Sequence, residues 1–142
     1  MRLQLALNVN DLDRSIDFYS KMFGAEPYKV RDGYANFAIS DPPMKLVLFE
    51  APGQGESINH LGVETDTAQQ VEDAEARLTG EGLSTTGVAD TECCYAAKTE
   101  TWVDGPDTRW EWYVKKGDTE QLENVVVSTG GTTCCEPEST SC

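Results

Sequence analysis

LQLALNVNDLDRSIDFYSKMF, residues 3–23, is the stretch on which the fold turns. Its first seven residues alternate. Leu3, Leu5, Leu7 and Val9 share one face, and Gln4, Ala6 and Asn8 share the other, the period-two pattern of a half-buried strand. The remainder has helical spacing. Leu12, Ile16, Tyr19 and Phe23 line one side, Asn10 or Asp11 can cap the start, and Gly24 can end it. Three short strands fit after it, at 27–31, 34–39 and 44–50, with RDGY and SDPP as the turns between them.

The same order then returns. NHLGVET (59–65) reads as a strand with Leu61 and Val63 on one face and His60, Gly62 and Glu64 on the other. TAQQVEDAEARLTGEG (67–82) reads as a helix with Val71, Ala74 and Leu78 inward, closed by Gly80 or Gly82. Strands at about 83–89, 95–103 and 108–115 complete the repeat. Equivalent points lie about 56 residues apart, and an internal duplication outweighs any single propensity. The expected fold class is α+β: two βαβββ modules, at about 1–52 and 57–116, forming one domain around a curved mixed sheet. Residues 117–142 are rich in Gly, Thr, Ser and Glu. NVVV within them can add an edge strand, and a mobile tail is expected beyond Ser128.

Composition bounds the function. The chain has 142 residues, 39% hydrophobic and 25% charged, which suits one globular domain. A net charge of −14 repels phosphate backbones and anionic lipid, which argues against nucleic acid and membrane surfaces as partners. No apolar run reaches the roughly 20 residues that span a bilayer. MRLQLALNVNDLD does not read as a signal peptide, so the expected location is the cytoplasm, with thiols mostly reduced.

The five cysteines are Cys93, Cys94, Cys134, Cys135 and Cys142. Two adjacent pairs and a terminal thiol are neither a disulfide framework nor a zinc ribbon, whose thiols are spaced by two to four residues. TECCYAAKTE (91–100) puts the first pair between two strands, and the polar neighbours Thr91, Glu92 and Lys98 argue for an exposed loop tip. A vicinal pair can bind one soft, thiophilic atom with both sulfurs. The plainer reading is two small apolar core residues.

The duplicated βαβββ unit resembles the vicinal oxygen chelate superfamily of glyoxalases, extradiol dioxygenases and bleomycin-resistance proteins. The residues that carry this are LNVNDLDRSIDFYSKMFGAEP, NHLGVE and GPDTRWEWYV. Together with GYANFAISDPPMKLVLFEAPGQG and the Cys93–Cys94 pair, they are similar to the organoarsenical carbon–arsenic lyases, also called cadmium-induced proteins. The resemblance covers residues 1 to about 116.

That resemblance implies an Fe(II) centre held by Gln4, His60 and Glu111, with Cys93 and Cys94 binding arsenic. It also implies O₂ and an organoarsenical as the small-molecule partners. Superfamily members pair their modules within one chain or across a homodimer. Parity gives a check from the residues themselves. Gln4 and His60 lie opposite the apolar sets of their strands, and Glu111 and Tyr113 lie opposite Trp110, Trp112 and Val114. Each residue alone reads as ordinary, since His60 is the sole histidine and Glu111 one of 25 acidic residues. Three on matching faces of a duplicated fold read as a metal site.

Tyr113 shares the face of Glu111 and is the one candidate for proton transfer. Cys134 and Cys135 are a candidate accessory arsenic site. The expected activity is cleavage of the carbon–arsenic bond of methylarsenite or reduced aromatic arsenicals to arsenite. The alternatives are sequestration of arsenicals or cadmium without turnover, and another glyoxalase-like metalloenzyme. Gln4 as a weak donor, and the lack of an acid in MKLVLF, argue against glyoxalase I chemistry.

Overall fold

The computed structural model describes residues 1–129. Cys134, Cys135 and Cys142, with nearly all of the expected tail, lie outside the described residues. The elements are β1 (Arg2–Val9), α1 (Leu12–Phe23), β2 (Lys29–Arg31), β3 (Tyr34–Ile39), β4 (Met44–Glu50), β5 (Ser57–Glu64), α2 (Ala68–Gly80), β6 (Ala89–Cys93), β7 (Ala96–Asp104), β8 (Arg109–Asp118) and β9 (Val125–Thr129). This is βαβββ twice with one added strand. The strand expected at 83–89 is displaced. Gly87 breaks it with φ +76, Thr85 makes only an isolated bridge to Val103, and β6 begins at Ala89.

Two compact units emerge, Arg2–Leu61 and the chain from Gly62 onward together with Met1. In the N-terminal unit the strand order is β2-β3-β4-β1-β5. β1 runs parallel to β4, while β3 pairs antiparallel with β2 and β4. Helix α1 starts where the Asp11 carboxylate accepts from the Arg14 N–H at 3.0 Å, and it ends at Gly24 with φ +61. Its apolar side, with Ile16, Tyr19 and Phe23, packs on a core of Val9, Leu12, Ala35, Phe37, Ile39, Leu46 and Leu48. Burying each large side chain of that kind contributes about 1.5–3 kcal/mol. Leu5 and Leu7 join this core, so the odd-numbered face of β1 is indeed the helix side.

In the C-terminal unit the order is β8-β7-β6-β9, all antiparallel. Thr67 and Gln70 form a reciprocal capping box at the start of α2. Helix α2 buries Val71, Ala74 and Leu78, and its Arg77 guanidinium lies 5.7 Å from the Trp112 ring centroid. The Glu75 carboxylate accepts from the hydroxyls of Thr85 and Thr101. Trp112 and Thr101 therefore face the helix. Residues directly opposite in an antiparallel ladder share a face. Cys93 pairs Ala96, Thr91 pairs Lys98, Glu100 pairs Tyr113 and Trp102 pairs Glu111. Cys93, Thr91, Lys98, Glu100, Trp102, Glu111 and Tyr113 accordingly lie on the side away from α2.

Candidate functional site

In the N-terminal unit β1 and β5 are neighbours, and they bring Gln4 and His60 together. Both side chains are buried, and the Gln4 amide nitrogen lies 3.0 Å from His60 Nε2. On the other side of the ring, His60 Nδ1 lies 2.8 Å from Asn59 Oδ1. Asn59 Nδ2 donates to Asn8 Oδ1 at 2.9 Å, and Asn8 Nδ2 donates to Ser57 Oγ at 2.9 Å. Asn8, Ser57 and Asn59 carry no motif that a sequence reader would single out; only the side-by-side placement of β1 and β5 assembles them.

In the C-terminal unit Glu111 is fully buried and paired. Lys98 Nζ lies 2.6 Å from Glu111 Oε1 and 3.4 Å from Glu100 Oε2. Glu100 Oε1 also accepts from Trp102 Nε1 and Asn124 Nδ2, each at 3.0 Å. The Tyr113 ring centroid lies 5.1 Å from the ammonium. Tyr113, the expected proton-transfer candidate, thus supplies an aromatic face to Lys98. Burial opposes the charge on Lys98. The carboxylates of Glu111 and then Glu100, with Cys94, outweigh it and hold the Lys98 pKa well above the ordinary lysine value. Burial pushes the Glu100 pKa up; Lys98 opposes this and Glu111 adds to it.

Glu111 and Tyr113, on the face opposite Trp110, Trp112 and Val114, are the buried positions of β8, while those three are half-buried. On this face Lys98 and Glu100 from β7 lie beside Glu111 and are buried with it. Lys98 and Glu100 were missed because isolated charges in a strand normally mark a solvent face.

The thiol pair also differs from expectation. Cys93 ends β6 and is fully buried, together with Ala89 and Thr91 on the same side of that strand. It is disulfide-bonded rather than reduced, and Cys94 is half-buried. The two sulfurs lie 2.7 Å apart. Cys94 and Tyr95 form the two-residue turn into β7, with φ of +55 and +61. Positive φ at both central residues is the type I′ hairpin turn, which usually takes Asn or Gly. Each such non-glycine residue costs on the order of 1 kcal/mol or more. The Cys94 and Tyr95 N–H groups donate to the carbonyls of Leu122 and Gln121, both at 2.8 Å. The Thr119 N–H donates back to the Tyr95 carbonyl at 3.1 Å. Residues 119–122 therefore strap the turn in place.

A surface cleft of about 460 Å³ lies elsewhere, beside α1, lined by Asn10, Arg14, Phe18 and Ile58 among others. It contains neither a cysteine nor His60, and no site is read there.

The model of the Glyoxalase/Bleomycin resistance protein/Dioxygenase superfamily matches residues 3–109. The chain belongs to this superfamily. It is 51% identical over 138 residues to a "Trivalent organoarsenical cleaving enzyme" of Thermomonospora curvata, covering 96% of this chain and 89% of that protein. It is 53% identical over 120 residues to the "Cadmium-induced protein CadI" of Mycobacterium bovis, covering 84% of this chain and 79% of that one. A homoprotocatechuate 2,3-dioxygenase structure from Brevibacterium fuscum shares the fold, with a TM-score of 0.61 at 20% identity, over 84% of this chain and 33% of that one.

For this superfamily chain, the residues present fit a divalent metal by their chemistry. Among the described residues no group of three His, Cys, Asp or Glu side chains could hold a metal. His60 offers an imidazole nitrogen already turned toward that amide. Glu111 is a buried carboxylate that holds a cation, here an ammonium. Imidazole nitrogen, amide oxygen and carboxylate oxygen are donor types that suit a divalent metal.

Proposed function

We propose that this chain is an Fe(II)-dependent dioxygenase that cleaves the carbon–arsenic bond of trivalent organoarsenicals, such as methylarsenite and reduced aromatic arsenicals, and releases arsenite. Gln4, His60 and Glu111 hold the iron, and Cys93 and Cys94 hold the arsenic. Iron, when bound, supplies activation of O₂. The protein supplies position: two sulfurs on one arsenic atom leave its carbon substituent unshielded and fixed in place. Capture by both sulfurs requires the Cys93 disulfide to be reduced, which the thiol pool of the cytoplasm would do.

The observation that carries this reading is the position of Lys98. Its ammonium contacts Glu111 at 2.6 Å, and Cys94 joins the two carboxylates in raising the Lys98 pKa. Register puts Cys93 on the same side of the sheet as Glu111. Sulfur and carboxylate therefore share one neighbourhood. The relatedness to an organoarsenical-cleaving protein at 51% identity supports the same substrate class.

The test is anaerobic Fe(II) reconstitution of reduced protein, followed by addition of O₂ and methylarsenite, with arsenite release and O₂ uptake followed together. Wild type should couple the two, and Cys93→Ser and His60→Ala should each lose nearly all turnover. Full activity in both variants refutes the proposal. Stoichiometric binding without O₂ uptake would make the chain a sequestering protein.

A further inference from the structure

We propose that Ser57, Asn8 and Asn59 form a one-way relay that locks His60 as the Nδ1-protonated tautomer, making them positioning residues for the Nε2 lone pair. The relay begins at a group that has no choice. The Gln54 carbonyl can only accept, and Ser57 Oγ donates to it at 2.5 Å. The hydroxyl has one proton, which that bond consumes. Ser57 must therefore accept from Asn8, so the Asn8 group facing it at 2.9 Å is the amide nitrogen. The carbonyl end of Asn8 then faces Asn59, which must present its own nitrogen across 2.9 Å. That leaves the Asn59 carbonyl oxygen facing His60 Nδ1 at 2.8 Å, and this contact is a hydrogen bond only if Nδ1 carries the proton.

Amide orientations and histidine tautomers are ordinarily assigned rather than seen. Here a main-chain carbonyl fixes every member in turn, because reversing any one amide sets two donors or two acceptors face to face. The consequence at the far end of the ring is equally forced. Neutral His60 has its lone pair on Nε2, and the Gln4 amide nitrogen donates into it at 3.0 Å. The ring is held in the form that can bind a metal through Nε2 before any metal arrives. For metal loading, Gln4 must turn its amide so that Oε1 replaces the nitrogen. All of these residues belong to the N-terminal unit, so the device is complete within Arg2–Leu61. Its role as a metal-positioning device rests on the reading of His60 as a ligand; the tautomer lock itself does not.

His60 is the sole histidine of the chain, so a ring ¹⁵N spectrum has one set of signals and needs no assignment. The experiment is a long-range ¹H–¹⁵N correlation on metal-free, full-length protein, at a pH well above the free imidazole pKa of about 6.5. Wild type should show a protonated Nδ1 and a pyridine-like Nε2. Asn59→Leu removes the acceptor and should shift the ring toward the Nε2–H form, and Ser57→Ala should produce a mixture. Asn59→Asp keeps an acceptor for Nδ1 and should retain the wild-type tautomer. Zn(II) affinity, measured by competition with a chelator, should fall about 10–100-fold in Asn59→Leu and stay near wild type in Asn59→Asp.

An Nε2–H ring in wild type, or an unchanged tautomer in Asn59→Leu, overturns the proposal. Should Asn59→Leu fail to fold, the wild-type and Ser57→Ala spectra decide alone. A wild-type ring protonated at Nδ1 in a protein that never turns over organoarsenicals refutes the enzymatic reading and leaves the relay standing.

Discussion

Replacing Lys98 with methionine should turn a buried charge balance into a measurable, pH-dependent loss of stability. Lys98, Glu100 and Glu111 expose 6%, 2% and 1% of their side chains, and the ammonium lies 2.6 Å and 3.4 Å from the two carboxylates. At an effective dielectric constant near 20, the shorter contact alone is worth about 6 kcal/mol of gross attraction. Desolvation of the ions offsets much of this, so the pair is not a net gain of that size. Removing one partner is different, because the survivors keep the desolvation cost without the attraction. Such losses run at about 3–5 kcal/mol.

The structure sets an independent ceiling. Burial already biases Glu100 toward its protonated form, so Glu111 is the carboxylate stranded in Lys98→Met. It can escape by taking a proton, which at pH 7 costs about 3.7 kcal/mol for a carboxyl with a free pKa near 4.3. That cost falls by about 1.4 kcal/mol per pH unit on acidification. Lys98 itself has a raised folded pKa. Its contribution is therefore fully present below the unfolded lysine value of about 10.4, and it is lost only as pH rises through the higher folded value.

Urea denaturation of reduced, metal-free wild type and Lys98→Met between pH 5 and pH 8 tests this. The gap should be about 3–4 kcal/mol at pH 7 and about 1 kcal/mol at pH 5. Lys98→Arg, which keeps the charge, should lose less. A gap at pH 7 below about 0.5 kcal/mol, or a large gap that does not change with pH, would refute the electrostatic account. If Glu111 also binds a metal, saturating divalent cation should narrow the gap, since it binds Lys98→Met without competing against the ammonium that occupies Glu111 in wild type.

Two further outcomes are expected. The Asp90 carboxyl is held below the ordinary range by hydrogen bonds from Lys116 and Thr99, with burial opposing, and Ser128 assists. Asp90→Asn should lower Tm at neutral pH and low salt. Because the folded pKa is depressed, the difference should be constant above the unfolded value of about 3.9 and vanish as pH falls through the folded one; a difference unchanged down to pH 2 would contradict it. In reduced protein, Cys94→Ser should weaken binding of a monosubstituted trivalent arsenical by about 100-fold or more, since the second sulfur–arsenic bond is intramolecular. Calorimetric affinity within about threefold of wild type would exclude two-sulfur capture.

The sequence made legible whatever depends on a short period. Alternation in LQLALNV and NHLGVET placed Gln4 and His60 opposite the helix side, and both are buried next to one another. Asp11, Gly24 and Thr67 marked helix ends because their capping chemistry is local. What depends on pairing between strands was not legible. AAKTETWVD reads as a strand with solvated charges until β8 lies beside it and a bulge at Ala97/Lys98 sets the register. Only then does Lys98 meet Glu111. Cys93 was misread for a related reason, since its polar neighbour Lys98 proved to be buried as well. LSTTGVAD looked like a strand because its apolar spacing is right, but Gly87 takes a positive φ that a ladder does not continue through.

The turn at Cys94–Tyr95 ties these features together. Asn-Gly would form the same hairpin without strain, yet this chain places a thiol and a bulky ring at two positive-φ positions. Three hydrogen bonds to residues 119–122 hold the conformation against that strain. The result is a sulfur held on a fixed backbone where it helps to keep the Lys98 pKa raised. A looser turn would leave that sulfur free to move away, and screening by water would weaken its influence on Lys98. The strapped turn thus keeps Cys94 where it acts on Lys98, at the cost of two strained residues.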